Sequence, residues 1–256
     1  MPQRIKCLYL HNVMRIFIPP EDIAKKQAIK LNADKSHYLI SVMRCKTGDT
    51  FEVIDGVGLS YRAEIDSIVK KQVFINIVQE NIDAREVPSN LILCAGILKG
   101  EKMDISVQKA AELGVREIRP FISERCVVKE TRKTARWQKI AEESAEQCGS
   151  SVIPIIREPV KFKSLFESCN RLNGFIFWEE GGMPLIEAFK KTLAVYKSGA
   201  SPIYIFVGPE GGFTLEEVAA AEKCGIIRTT LGRRILRAET AAIVSTALLQ
   251  FLTENC

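Results

Sequence analysis

The chain has 256 residues, 46% hydrophobic and 26% charged, with a formal net charge of +5 at pH 7. That length suits one large or two modest domains, and the composition supports a real core and argues against disorder. Mild basicity permits a nucleic-acid partner without demanding one.

Arg4 and Lys6 precede only a short apolar stretch that His11 ends, so a secretory signal is not expected. Met14 stands just before RIFIPP. Residues 14–84 read as strands and turns: 51–54 is an apolar strand ended by the hairpin signal Asp55-Gly56, and 61–65 and 73–78 alternate like half-buried strands. This predicts a compact β-barrel. Residues 81–90 are polar, contain Pro88 and form the expected linker. From residue 91 the pattern becomes strand and helix in alternation: strand 91–97, helix 103–113 capped by Gly114, strand 117–122, helix 134–148, strand 175–178 and helix 184–196. That alternation predicts an α/β domain with a mostly parallel sheet. No apolar run reaches the roughly 18 residues of a membrane span. Eight cysteines lie singly and His11 and His37 are the only histidines, so neither a metal site nor a disulfide framework is expected, and a reducing cytoplasm is the expected location.

The most informative segments come last. YIFVGPEGGFTLEEV (204–218) and LGRRILRAETAAI (231–243) each follow or contain a strand end that breaks into a turn and opens a helix. In the first, 204–207 is the strand, Thr214 the N-cap, and Glu217 completes a capping box. In the second, strand 226–231 leads to a helix over 240–252. Glycine-bearing loops at strand C-termini are where an α/β sheet places a small-molecule site. The spacing of Gly208, Gly211 and Gly212 fails both the dinucleotide fingerprint and the P-loop pattern. Read alone, it fits a ligand loop or a bare tight turn equally. Arg233, Arg234 and Arg237 bring three cations to the second loop, beside Glu239 and Thr240, which suits a polyanion next to the pocket.

These residues resemble the SPOUT superfamily of RNA methyltransferases, and more closely the family that methylates N3 of one uridine in small-subunit ribosomal RNA. HYLISVMRCKTGDTFEVIDG (37–56) resembles that family's N-terminal PUA-like RNA-binding barrel. KGEKMDISVQKAAELGV (99–115), SERC (123–126), WQKIAEESAEQCG (137–149), GPEGG and LGRRILRAETA resemble its catalytic domain, in the family's order. The resemblance implies a PUA-like domain over 14–84 and a SPOUT methyltransferase domain over 91–256 with a deep trefoil knot. It also implies S-adenosylmethionine as cofactor, a homodimer, and small-subunit ribosomal RNA or the assembled subunit as partner. Members of the family usually begin near Met14, so residues 1–13 are expected to be poorly ordered.

Methyl transfer needs a gripped cofactor, an aligned acceptor and a deprotonated uridine N3. The expected cofactor contacts are Val207, Gly208, Glu210 and Gly211 from the first loop and Leu231, Gly232, Ile235 and Leu236 from the second. Arg237 is the candidate for orienting the uracil or a phosphate; an ion pair with Glu239 is its structural alternative. Glu239 is the candidate base, or a carboxylate held at a helix N-terminus. Glu180 is a further candidate for the pocket wall. Arg125, Lys129, Arg132 and Arg136, with Lys133 and Lys139, form the expected RNA-binding run, or a solvated helix face. Trp137 and Trp178 are read as core. The family usually has Arg where this chain has Ser150, and Arg157 is the candidate to compensate. A transfer-RNA target and a non-catalytic RNA-binding role stay open on these residues alone.

Overall fold

The computed structural model describes residues 14–25, 27–81, 89–167, 171–197 and 201–255. The expectation about residues 1–13 and most of the expected linker lie outside them. The chain divides into two compact units, Met1–Glu86 and Val87–Cys256.

The first unit contains β1 (Arg15–Phe17), α1 (Pro20–Ile23), β2 (Ile29–Lys30), α2 (Ala33–His37), β3 (Thr50–Ile54), β4 (Ser60–Val69) and β5 (Gln72–Asn81). Its sheet has the order β1-β3-β4-β5-β2. The edge strands β1 and β2 are not hydrogen-bonded to each other, so the expected barrel is an open half-barrel. Ile16, Leu39, Val53, Ile65 and Ile75 fill its concave side. The turn after β3 is organised by a side chain: Asp55 Oδ1 accepts from the amides of Val57 and Leu59, both at 2.9 Å. After α2 the chain continues as one π-turn, Tyr38–Val42.

The second unit contains β6 (Leu91–Gly96), α3 (Lys102–Glu112), β7 (Glu117–Ile122), α4 (Thr134–Cys148), β8 (Ile155–Ile156), β9 (Val160–Lys161), β10 (Asn173–Phe177), β11 (Met183–Pro184), α5 (Leu185–Lys197), β12 (Ile203–Val207), α6 (Leu215–Lys223), β13 (Ile227–Thr230) and α7 (Ala238–Glu254). The sheet order is β11-β13-β10-β12-β6-β7-β8, with β9 paired to β7, and every pairing is parallel. β6 is buried along its whole length, as strands covered on both faces are. α7 begins two residues earlier than the sequence pattern suggests, with Arg237 in extended conformation at the N-cap position and no capping bond from its side chain. The two-residue strands β8, β9 and β11 are too short to carry a periodic signal.

Two late strands lie between earlier ones in the sheet: β13 between β10 and β11, and β12 between β6 and β10. The register aligns Phe177 of β10 with Val207 of β12 and with Thr229 of β13, and Val207 with Ala95 of β6. The C-terminal ends of these strands therefore open onto one edge. From β13 the chain returns to α7, which packs on α3, β6 and β12.

At the start of β7, Glu117 is buried and accepts from Arg119 Nε and from Arg157 Nη2, the latter at 3.0 Å. Burial alone would raise its carboxyl, but the bonds and charges of Arg157 and Arg119 together carry it below the usual carboxylate range. Arg157 is thereby engaged in the fold, which argues against its compensating for Ser150. With the folded pKa below the unfolded one, this stabilisation is fully present above the unfolded value and is lost as pH falls through the folded value. Glu117→Gln should lower stability by about 1–3 kcal/mol at neutral pH. In urea titrations its deficit against wild type should shrink as the pH drops through the acidic range; a pH-independent deficit would contradict this account.

Candidate active site

A cavity of about 400 Å³ lies at the C-terminal edge of β10, β12 and β13. Its wall comes mainly from residues 177–179 at the end of β10, the end of β12 with its loop, and residues 230–237 from the end of β13 to α7, joined by Lys102 of α3 and by Ala238, Glu239 and Ala241 of α7. Val207, Gly208, Glu210, Leu231, Gly232, Ile235, Leu236, Arg237 and Glu239 all line it. Gly211 does not: its Cα faces the loop after β7, where an added Cβ would stand 2.8 Å from Arg125 Cβ and 2.9 Å from Arg125 O. After β10 it is Glu179, not Glu180, that reaches the wall, and Trp178 joins it although it is only 7% exposed. Trp137 is core, with Nε1 donating to Asp104 Oδ1 at 3.0 Å.

The first loop is held from several directions. Thr214 and Glu217 form a complete capping box at the start of α6. Glu217 Oε2 accepts from Thr214 N at 3.0 Å, while Oε1 accepts from Glu124 N at 2.9 Å. Gly212 has φ of +68°, a conformation that favours glycine, and a Cβ there would collide with the Glu179 carboxylate. Glu210 Oε1 accepts from Lys99 N at 3.0 Å and pairs with Lys102 Nζ at 3.5 Å. Burial alone would raise the Glu210 carboxyl; the amides of Lys99 and Glu210 and the Lys102 cation outweigh it and lower it. Beneath the loop, β6 ends at Gly96, where an added Cβ would stand 2.5 Å from Pro209 N and 2.6 Å from Pro209 Cδ. No local pattern marks Gly96 or Lys102 as part of the site, because both come from β6 and α3.

The second loop turns on Thr230, whose Oγ1 accepts from Gly232 N at 3.2 Å. Gly232 has φ of +115° with open space where a Cβ would be. Ile235 stands 81% exposed. Arg237 is exposed and makes no ion pair with Glu239 among the described residues. Among the described residues, Glu239 Oε2 is buried with no hydrogen-bond partner, and so is Trp178 Nε1. Buried polar atoms in a native fold are ordinarily satisfied, so a donor for one and an acceptor for the other is the chemistry a bound molecule would bring.

These features fit S-adenosylmethionine: a pocket of suitable size, apolar side chains, backbone groups bared by glycines, and the orphaned Trp178 Nε1 donor in its wall. Of the expected RNA-contacting cations, Arg132 is exposed. Arg136 donates to Asp104 Oδ2 at 2.8 Å and 3.1 Å, Lys129 Nζ donates to the Glu124 carbonyl at 2.7 Å, and Arg125 turns toward the loop after β12. Among the described residues no cluster of candidate metal ligands exists, and no helix is long and apolar enough to cross a membrane.

Fold and site together define a protein of the RNA methyltransferase class. The model of the RNA methyltransferase domain matches residues 85–250, and that of the RNA methyltransferase PUA domain matches residues 31–78. Ribosomal RNA small subunit methyltransferase E of Buchnera aphidicola (from Acyrthosiphon pisum) is 32% identical over 246 residues, covering 93% of each chain. Its Bacillus subtilis counterpart is 28% identical, covering 93% of this chain and 96% of its own. A crystal structure of the Neisseria gonorrhoeae ribosomal RNA small subunit methyltransferase E, bound to S-adenosylmethionine, superposes with a TM-score of 0.81 at 30% identity, covering 94% of this chain and 98% of its own. This chain belongs to the ribosomal RNA small subunit methyltransferase E family, and its C-terminal unit is a parallel α/β domain of the SPOUT type.

Because Pro209 rests on Gly96, Gly96→Ala should displace the first loop. It should weaken S-adenosylmethionine binding by at least about tenfold and cost about 1–3 kcal/mol of stability. Calorimetric titration and thermal melting measure both; wild-type cofactor affinity in the variant would show that β6 does not support the loop.

Proposed function

We propose that this chain transfers a methyl group from S-adenosylmethionine to N3 of one uridine in small-subunit (16S) ribosomal RNA, as a cytoplasmic homodimer. The observation that carries the reading is the cavity made by the two glycine loops, in a chain similar over nearly its full length to an enzyme crystallised with that cofactor. The proposed division of labour is an RNA-binding unit over 14–84 and a catalytic unit over 91–256. The trefoil-knot threading belongs to the same proposal. Support for the dimer comes from α7, which leaves Phe251 63% and Leu248 42% exposed, apolar surface that a second copy would cover.

In this reading Val207, Gly208, Glu210, Leu231, Gly232, Ile235 and Leu236 hold the cofactor, which supplies an electrophilic methyl group when bound. Gly211 shapes the loop from its outer side. Uridine N3 is a poor nucleophile while protonated. Glu239 accepts that proton at Oε2, the buried oxygen that no other group among the described residues engages. Arg237, which lines the same cavity and makes no ion pair among the described residues, holds a uracil carbonyl and stabilises the anion left on the base. Arg132 and Arg136, with Lys129 and Lys133, give the RNA backbone a cationic surface whose contacts are salt-dependent.

The test is transfer of labelled methyl to small ribosomal subunits that lack uridine N3-methylation, read by mass spectrometry of the digested nucleosides. A single new N3-methyluridine is expected. Label in another nucleoside would discard the target but keep the enzyme class. Absence of both transfer and cofactor binding would discard the enzyme reading altogether. Arg237→Ala should fold normally, bind cofactor and lose at least about 100-fold in turnover; unchanged turnover would remove Arg237 from the mechanism.

A further inference from the structure

Arg125 stands first in the basic run after β7 and is exposed, yet its guanidinium is engaged by the loop after β12. Its Nη1 donates to the carbonyl of Gly211 at 3.3 Å and to the carbonyl of Phe213 at 3.2 Å. The missing side chain at Gly211 is what lets the Arg125 backbone and stem lie against the loop, since a Cβ there would stand 2.8 Å from Arg125 Cβ.

Those two carbonyls belong to peptide groups whose other ends are also held. The Gly211–Gly212 peptide presents its N–H to the carbonyl of Pro209 at 2.9 Å. The Phe213–Thr214 peptide presents its N–H to Glu217 Oε2 at 3.0 Å. Arg125 fixes the carbonyl side of each, so neither peptide plane can rotate without breaking a bond at both ends. This matters because Gly212 is at positive φ, and a glycine there has alternative conformations of similar energy. Both bonds leave one nitrogen, Nη1, whose two N–H groups have directions fixed by the guanidinium plane, whereas the N–H groups of a lysine ammonium rotate freely. The neighbouring bond from Glu124 N to Glu217 Oε1 holds the two loops together beside it.

We propose that Arg125 is a positioning residue for the cofactor loop and not an RNA ligand: it locks two peptide planes in the conformation that binds S-adenosylmethionine. The proposal rests on the cofactor reading given above. The run is then divided by role, with Arg125 serving the pocket and Arg132 and Lys133 serving RNA.

The test titrates full-length wild type, Arg125→Ala, Arg125→Lys and the double variant Arg132→Ala/Lys133→Ala with S-adenosylmethionine by calorimetry. The same proteins are titrated with small-subunit ribosomal RNA across a salt series. Arg125→Ala should bind cofactor about tenfold more weakly, as expected for losing two bonds from a charged donor. Its salt slope for RNA should stay at the wild-type value. Its KM for cofactor should rise by a larger factor than its kcat falls, and Arg125→Lys should recover only part of the affinity. The double variant should show the converse, with normal cofactor affinity and a flattened salt slope. Wild-type cofactor affinity in Arg125→Ala, or loss of RNA affinity with cofactor binding intact, would overturn the proposal. Should Arg125→Ala fail to fold, Arg125→Lys decides by the same two readouts. Failure of the wild type itself to bind cofactor would refute the functional reading and this proposal with it, an outcome distinct from failure of the variants alone.

Discussion

Burial of Phe213 holds the loop after β12 to the sheet. The side chain is 1% exposed and packs against Phe121 and Phe162, with ring centroids 5.9 Å and 5.3 Å away. Burying one aromatic side chain contributes about 1.5–3 kcal/mol. Ordering each loop residue costs about 1–2 kcal/mol in backbone entropy. One aromatic anchor therefore cannot hold a glycine-rich loop in a single shape. The rest of the stabilisation is polar and local: Glu210 on the Lys99 amide, Glu217 on two amides, and Pro209 accepting from Gly212. The loop is rigid because Phe213 brings these groups within reach of partners from β6, α3 and the loop after β7.

That dependence explains the use of charge across the catalytic unit. In a chain of net positive charge, the carboxylates most tightly engaged are internal: Glu117 with two guanidiniums, Asp104 with Arg136 and Trp137, Glu217 with backbone amides. Each fixes the direction of a strand start, a helix or a loop. The basic residues left exposed, such as Arg132, then project from a scaffold that is already neutralised within. Phosphate contacts made by such residues position a backbone without reading its sequence.

What the sequence makes legible is what is local. Thr214 and Glu217 are three residues apart, and their reciprocal bonds follow from helix geometry alone. The alternation of strands and helices from residue 91 gives the α/β class, and both glycine loops stand out because they interrupt apolar strands. Contacts between distant segments leave no such trace. Gly96 is an ordinary glycine at a strand end until Pro209 is seen against it. Gly211 sits in a ligand loop by pattern, yet turns its open side to Arg125. Trp178 has the composition of a core residue and is buried like one, while still forming part of the cavity wall. In the first unit the alternating strands are readable, but closure is not, since whether the edge strands meet depends on how far the sheet curls.

The placement of β12 between β6 and β10 has a consequence for how the enzyme is made. The neighbours β6 and β10 both precede β12 in the chain, so the central pairings of the sheet wait for residues 203–207. The segments that precede it can form a partial sheet while the chain is still being synthesised, but that sheet lacks its centre. The residues that wall the cavity come mainly from the final third of the chain, so the cavity arises only with the last strands and helices. A chain cut short before these segments would lack the pocket, and a small molecule that occupies the pocket would select for molecules whose synthesis has finished.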